Sequence, residues 1–468
     1  MSFYSGLEHF GDSIALSQSN GERISYKTLA EEADALSRKI RKRSLVFILC
    51  RNVIASAAGY LGFLRGGQVP LLLDENIHPD LLWSLLHIYK PEYIWLPAKN
   101  ENMVQGERLF CSRGYTLIEK QDGVHAELNE SLALLLTTSG SIGSPKLVRQ
   151  SYLNIESNAN AIANYLELNQ HEKPITTLPM SYTYGLSILN SHLLVGAEIL
   201  MCPESIMQKG FWSCLKENGA TSFGGVPYTY EMLDKLKFFD MKIPSLRTLT
   251  QAGGKLSLDL TRKAAKVCAE QGIRFFVMYG QTEATARMSY LPHEYAISKS
   301  GSVGKAIPGG EFWLEDEEGK KITEAFTPGE LVYKGPNVTL GYAENLDDLK
   351  KGDENGGILK TGDLAQRDED GFYYIVGRLK RFIKVFGKRI NLDDMERLLR
   401  ETGIECVCAG KDDMMLVAVT EKSKLNELPK IISGLTGINH SAFAVKHVDT
   451  IPQNEAGKIL YSELNKLV

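Results

Sequence analysis

The chain has 468 residues, 43% hydrophobic and 24% charged, with a formal net charge of −4. This excludes a peptide hormone, a disulfide-stapled module and a globally disordered chain, and sets a prior of roughly three domains. No whole-chain basic excess points to nucleic acid or an anionic membrane as a partner.

Seven scattered cysteines (Cys50, Cys111, Cys202, Cys214, Cys268, Cys406 and Cys408) suggest no disulfide framework and fit a reducing, cytoplasmic setting. Cys406 and Cys408 lack a second nearby pair, so no zinc site is expected there. The N-terminus has neither a basic start nor an apolar stretch of signal-peptide length, and no run of ~18 apolar residues predicts a membrane span.

In chain order, Leu29, Ala33, Leu36 and Ile40 recur at helical spacing, and the run Leu45-Val-Phe-Ile-Leu49 reads as a buried strand. An Ala/Gly-rich helix follows from Ile54, and strands are expected at 132–136, 175–178, 198–201, 246–250 and 275–278. Strand and helix in repetition predict α/β layers around mainly parallel sheets. After about Gly301 turn-rich punctuation separates short strands, which predicts a β-rich subdomain. A strongly basic stretch then runs to Arg389, and an amphipathic helix is expected over 392–400. The fold class is therefore α/β: a large N-terminal domain (1–379) of layered sheets and helices with a β-rich subdomain, plus a small mobile α+β C-terminal domain (380–468).

The segment Thr137-Thr-Ser-Gly-Ser-Ile-Gly-Ser-Pro-Lys146 follows the strand at 132–136. Glycines and small hydroxyl residues let backbone N–H groups curl around an anion, and a lysine adds charge, so the loop suits a polyphosphate. It is not a Walker loop, and the same composition suits an ordinary surface loop.

Further motifs follow in order: Tyr279-Gly-Gln-Thr-Glu283, Gly301-Ser-Val-Gly-Lys305, Gly329 to Gly335, Thr361-Gly-Asp363, Gly377-Arg378 to Arg389, and Pro452 to Lys458. With these motifs in this order, the chain resembles the adenylate-forming superfamily of acyl-CoA synthetases, peptide-synthetase adenylation domains and luciferases. Departures from the family pattern are Ile142 in place of a second hydroxyl, Leu147 in place of a glycine, and Ser151 where histidine is common.

The resemblance implies a stand-alone AMP-forming acid–thiol ligase, with ATP and Mg²⁺ as cofactors and coenzyme A or phosphopantetheine as thiol. It implies that Thr138, Ser139, Gly140, Ser141, Gly143 and Lys146 cradle phosphates, and that Glu283 holds Mg²⁺. Tyr279, Gly280, Gln281 and Thr282, with Gly253 and Gly254, would border the nucleotide. Asp363 and Arg378 would take the ribose hydroxyls, and Lys458 would stabilise charge during adenylation. Lys380 is the expected hinge, with Gly387 and Lys388 facing a thiol channel.

Tyr182, Gly185, Gly225 and Ala252 would border the acyl group. A tyrosine at 182, where peptide-synthetase domains carry an aspartate, disfavours an α-amino acid and favours an acyl or aryl acid. The acceptor is coenzyme A or, alternatively, a separate acyl carrier protein that the basic stretch Lys380, Arg381, Lys384, Lys388 and Arg389 would meet. A non-catalytic nucleotide- or carrier-binding module is the competing class, and retention of Lys458 speaks against it.

Overall fold

The computed structural model describes residues 2–467 except 138–145, 386–387, 412, 423–424, 426, 437–438 and 454–458. Contacts divide the chain into two compact units: Met1–Glu311 with Tyr333–Leu359, and Phe312–Val332 with Lys360–Val468.

The first unit is built on an eight-stranded sheet among the described residues. Its central strand, Leu45–Cys50, is buried along its whole length and pairs in parallel with Val69–Asp74 and Tyr93–Pro97. Alternate side chains leave opposite faces, as the two-residue period of a strand requires. Val46, Ile48 and Cys50 enter one core cluster, and Leu45, Phe47 and Leu49 enter the other.

Helix Tyr26–Ser37 covers the first face with Leu29, Ala30, Ala33 and Leu36, and starts on Ser25, whose side chain accepts from Thr28 N. Ile40 is buried too, but lies beyond the helix end. Helix Ile54–Arg65 is buried from Ile54 to Leu64, and Gly62 lets it approach the Ala33 carbonyl: a Cβ there would sit 2.5 Å from that oxygen.

The sheet is mixed rather than mainly parallel. Strand Leu132–Thr137 pairs in parallel with Val69–Asp74, then turns back as an antiparallel hairpin with Leu147–Ser151. Gly341–Ala343 adds antiparallel to that outer strand. A parallel pair needs a crossover of about a dozen or more residues, and too few residues separate these two strands for one.

A second, five-stranded sheet runs Ser222–Gly225, Thr248–Gln251 and Arg274–Tyr279 in parallel, then Ser289–Leu291 and Lys305–Ala306 antiparallel. Around the strand expected at 175–178 the chain makes only isolated bridges, at Pro174 and Ile175.

The second unit contains the β-rich sheet, ordered Lys321–Ile322, Glu311–Glu315, Gly329–Lys334, Ile358–Arg367 and Tyr373–Arg378. Beyond it lie the antiparallel pair Phe382–Val385 and Lys388–Asn391, helix Leu392–Glu401, and a sheet of Cys406–Lys411, Met414–Val419 and Phe443–His447. Leu392, Met395 and Leu399, at helical spacing, pack with Ile383, Val385, Cys406, Cys408 and Val417 into this region's own core. The position Lys380 thus falls inside the second contact unit. No described helix is long and apolar enough to cross a membrane, and no described group of three or more metal-ligating side chains is present.

Candidate active site

Thr138, Ser139, Gly140, Ser141, Gly143, Gly387 and Lys458 lie outside the described residues, as does Ile142. What is described is the frame around the hydroxyl-rich loop. Its ends are neighbours, because Thr137 and Leu147 are register partners of the hairpin. Leu147 is fully buried, and Ser151 caps helix Tyr152–Tyr165 in a reciprocal box with Asn154. Both departures from the family pattern at these positions therefore serve packing and capping.

Lys146, at the loop's exit, places its Nζ 3.8 Å from the centre of the Tyr342 ring and 3.3 Å from Glu344 Oε1. The Tyr342 hydroxyl in turn donates to Glu283 Oε1 at 2.6 Å. Burial and the Glu283 carboxylate both push the Tyr342 phenol well above its usual range, so it stays a donor. One aromatic side chain thereby touches both the lysine expected at phosphates and the carboxylate expected at Mg²⁺. Sequence reasoning passed over Tyr342 and Glu344, although Gly341-Tyr-Ala-Glu344 follows the Gly329 to Gly335 motif closely.

The turn carrying Glu283 is fixed by packing around a glycine. A side chain at Gly280 would overlap the Ala286 carbonyl oxygen, so only glycine lets the chain fold back after strand Arg274–Tyr279. Thr285 and Ala286 then take positive φ values of 58° and 126°, conformations that L-residues adopt only when surroundings impose them. Asn337 imposes them: its Nδ2 donates to Ala284 O at 2.8 Å and Arg287 O at 3.1 Å, while Thr285 Oγ1 donates to Asn337 O at 2.7 Å. Thr339 donates twice to Glu283 O, from its backbone N–H and its hydroxyl. Tyr279 is half-buried and its hydroxyl accepts from Gln281 Nε2 at 3.2 Å, while Thr282 begins the short helical turn.

At the expected acyl side, Gly253 has φ +83°, and a Cβ there would lie 2.7 Å from the Tyr182 hydroxyl. At Gly224 it would lie 2.7 Å from the Tyr184 hydroxyl, which shares a hydrogen bond with Thr250 Oγ1 at 2.8 Å. These glycines admit tyrosine side chains, so the room they provide is already lined by phenols. Gly225 leaves space for Thr229 and Tyr230, Gly254 abuts Pro227, and Gly185 brings helix Thr183–Leu194 against the carbonyls of Leu178 and Pro179. Tyr182, Tyr184 and Ala252 share one cluster with Met278.

In the second unit Asp363 and Arg378 are cross-strand partners, with Arg378 Nε donating to Asp363 Oδ1 at 2.8 Å. The Asp363 side chain is 2% exposed and that of Arg378 57%. Thr361 Oγ1 accepts from Asp363 N and donates to Leu331 O, which sets the height of the carboxylate on its strand. Lys380 lies in the helical turn Leu379–Arg381. Arg381, read from sequence as part of a basic stretch open to an acidic partner, is buried on Asp393 Oδ1 at 2.5 Å and Glu396 Oε1 at 2.6 Å, over the Tyr461 ring. Its charge is spent inside the unit. Lys388 lies on strand Lys388–Asn391.

Residues 3–343 match the family described as AMP-binding enzyme. Among curated proteins, a 2-succinylbenzoate--CoA ligase of Bacillus cereus (strain Q1) is 29% identical, over 92% of this chain and 89% of that protein. A 2-succinylbenzoate--CoA ligase of Geobacillus sp. (strain WCH70) is 28% identical, over 92% and 88%. The fold is shared with O-succinylbenzoate coenzyme A synthetase from Bacillus subtilis in complex with AMP: TM-score 0.80 at 21% identity, covering 99% of this chain and 98% of that one. It is shared equally with ATP-bound MatB from Rhodopseudomonas palustris: TM-score 0.80 at 20% identity, covering 100% and 99%.

Proposed function

This chain belongs to the AMP-binding enzyme family, and from that premise we propose that it activates a non-amino carboxylic acid with ATP and passes the acyl group to the thiol of coenzyme A. A carboxylate oxygen attacks the α-phosphorus of ATP, the bond to the β-phosphate oxygen breaks, and pyrophosphate leaves. The thiol sulfur then attacks the acyl carbonyl, AMP departs with the former carboxylate oxygen, and the thiol proton is released.

The observation that carries this reading is the chain of contacts Lys146–Tyr342–Glu283. Two anions must meet in the first step, so the reaction needs positive charge and fixed donors at the phosphates. Lys146 is held by a single exposed carboxylate, Glu344, and an aromatic face, which a polyphosphate can displace. Glu283 keeps one carboxylate oxygen on the Tyr342 hydroxyl, and among the described residues its other oxygen has no hydrogen-bond partner. A lone positioned carboxylate fits Mg²⁺ arriving with the nucleotide, because that ion keeps waters and phosphate oxygens rather than an all-protein cage. Glu283 would hold it, and the ion would supply charge neutralisation at the phosphates.

Roles for Thr138, Ser139 and Ser141 at the phosphates, Asp363 and Arg378 at the ribose, Lys458 at the reacting groups, and Lys380 as hinge are carried over from the motifs as part of this proposal. The acyl side supports a non-amino acid. Tyr182 and Tyr184 line it, and the nearby buried cation Arg287 would oppose an α-ammonium. Coenzyme A, rather than a carrier protein, is the proposed acceptor because the curated relatives bear that name. Seven free cysteines support a cytoplasmic setting.

The test is acid-dependent pyrophosphate exchange across aryl, keto, fatty and amino acids, 2-succinylbenzoate included. Exchange should occur with a non-amino acid and be lost in Lys458→Ala. Fastest exchange with an α-amino acid would overturn the substrate reading, and exchange undiminished in Lys458→Ala would overturn the role given to that lysine.

A further inference from the structure

Three arginines are buried among the described residues, and they are not alike. Arg149, fully buried, is tied to Glu354 and to backbone carbonyls including Tyr342 O and Leu340 O. Arg381 is tied to Asp393 and Glu396. Arg287 is only 2% exposed, yet no described carboxylate lies within ion-pair distance. Its partners are neutral: Nε donates to Ser187 Oγ at 3.2 Å, and Nη1 lies 3.0 Å from both Tyr165 Oη and Met278 Sδ. The guanidinium sits over the Tyr184 ring at 4.9 Å, and Nη2 has no hydrogen-bond acceptor among the described residues. A guanidinium does not shed its proton in a protein, so the charge is permanent and, in this surrounding, uncompensated. Its field is felt nearby: with burial as the main cause, it helps to hold His192 down at about 4.

The place matters as much as the charge. Arg287 follows the Glu283 turn directly, and its partners Tyr184 and Met278 belong to the cluster that contains Tyr182 and Ala252. A buried cation that finds no carboxylate in its own chain is costly unless something else supplies one. From this we infer that the acid substrate carries a second anionic group, a carboxylate, which Arg287 holds while the first is activated. The reacting carboxylate is the poorer candidate for this partner. Paired to a guanidinium through both oxygens, it would lose the nucleophilicity that the attack on phosphorus requires. The inference rests on the ligase reading and narrows it to dicarboxylic acids.

The experiment uses acid pairs that differ by one carboxylate: 2-succinylbenzoate against benzoylpropionate, glutarate against butyrate, and adipate against valerate. Acid-dependent AMP formation is measured with the wild type, Arg287→Met and Arg287→Lys. The wild type should prefer the diacid of its active pair by about 100-fold or more in kcat/KM, the range expected when a site built for a polar group meets an analogue lacking it. Arg287→Met should abolish that preference by lowering kcat/KM on the diacid far more than on the monoacid, and Arg287→Lys should restore part of it. Equal or better use of the monoacid by the wild type overturns the inference and leaves the ligase reading intact. So does an equal loss on both acids in Arg287→Met. No AMP from any acid overturns the ligase reading itself.

Discussion

The two units hold their candidate site residues by different means. In the first, Lys146 and Glu283 both touch one neutral phenol, Tyr342, and the Glu283 turn is clamped by amide and hydroxyl groups of Asn337 and Thr339. In the second, Asp363 is held by a cation, Arg378, directly across the strand pair. The neutral clamps fix Glu283 and leave its charge available to a ligand, while Lys146 also meets the exposed Glu344 carboxylate at 3.3 Å, a pairing that a polyphosphate can displace. An ion pair fixes geometry by using the charge, so under the proposed role a ribose hydroxyl would have to join or displace Arg378 at Asp363. Buried cations do not divide by unit: in the first, Arg287 has only neutral partners among the described residues while Arg149 is paired with Glu354, and in the second Arg381 has two carboxylates. Preorganised, unspent charge is what a phosphoryl-transfer site needs, and Glu283 and Arg287 supply it in the first unit, in keeping with the function proposed above.

The sharpest way to break this contrast is at the Glu283 turn. Gly280→Ala forces a side chain into the Ala286 carbonyl and must displace Glu283. Acid-dependent AMP formation should fall by about 100-fold, the scale set by misplacing a catalytic group by ~1 Å. A rate within a few fold of wild type would show that the turn does not position the site.

Next in size is a pH effect of a histidine buried beside the uncompensated cation. His192 is buried with Nδ1 2.8 Å from Ile188 O, and burial, assisted by Arg287, lowers its pKa from 6.5 to about 4. A depressed histidine pKa means that the unfolded chain takes up the proton first. Stability is therefore complete above about pH 6.5 and is lost as pH falls toward 4, by roughly 2 kcal/mol between pH 7 and 5. Thermal unfolding of the wild type should lose more stability over that interval than His192→Leu does; equal losses would contradict the assignment.

Tyr342→Phe removes one hydrogen bond to a carboxylate and leaves the ring under Lys146. The Mg²⁺ concentration for half-maximal rate should rise about 10-fold, in line with ~1.5 kcal/mol for such a bond. Thermal stability should hardly change, and an unshifted Mg²⁺ titration would detach Tyr342 from the site. The smallest effect is expected from Arg378→Gln, since the arginine is itself exposed and a glutamine amide can still donate to the buried Asp363 carboxylate. A weaker KM for ATP at unchanged melting temperature would place Arg378 at the nucleotide, whereas an unchanged KM would make the pair structural.

The parts of the molecule legible in the sequence were those that write a local pattern. The run Leu45 to Cys50 reads as a doubly buried strand, and Leu392, Met395 and Leu399 read as one helix face. Strand direction does not write such a pattern, so the antiparallel edges at Leu147–Ser151 and Gly341–Ala343 were not legible. Glu283 and Asp363 were visible because motifs mark them. Tyr342 was not, because a single tyrosine after a glycine has no periodicity and its partners lie far along the chain. Arg287 and Arg381 were hidden by the general rule that arginine is exposed. Their burial depends on neighbours, Tyr184 for one and Glu396 for the other, that only the folded chain brings near.

The central claim, attack of a carboxylate on the α-phosphorus, is tested most directly by following oxygen. An acid whose carboxylate carries a heavy-oxygen label is turned over with ATP and coenzyme A, and the phosphorus products are separated for mass spectrometry. One labelled oxygen per turnover should appear in AMP and none in pyrophosphate. Label in inorganic phosphate with ADP as the companion product, or AMP formed without label, would contradict the account.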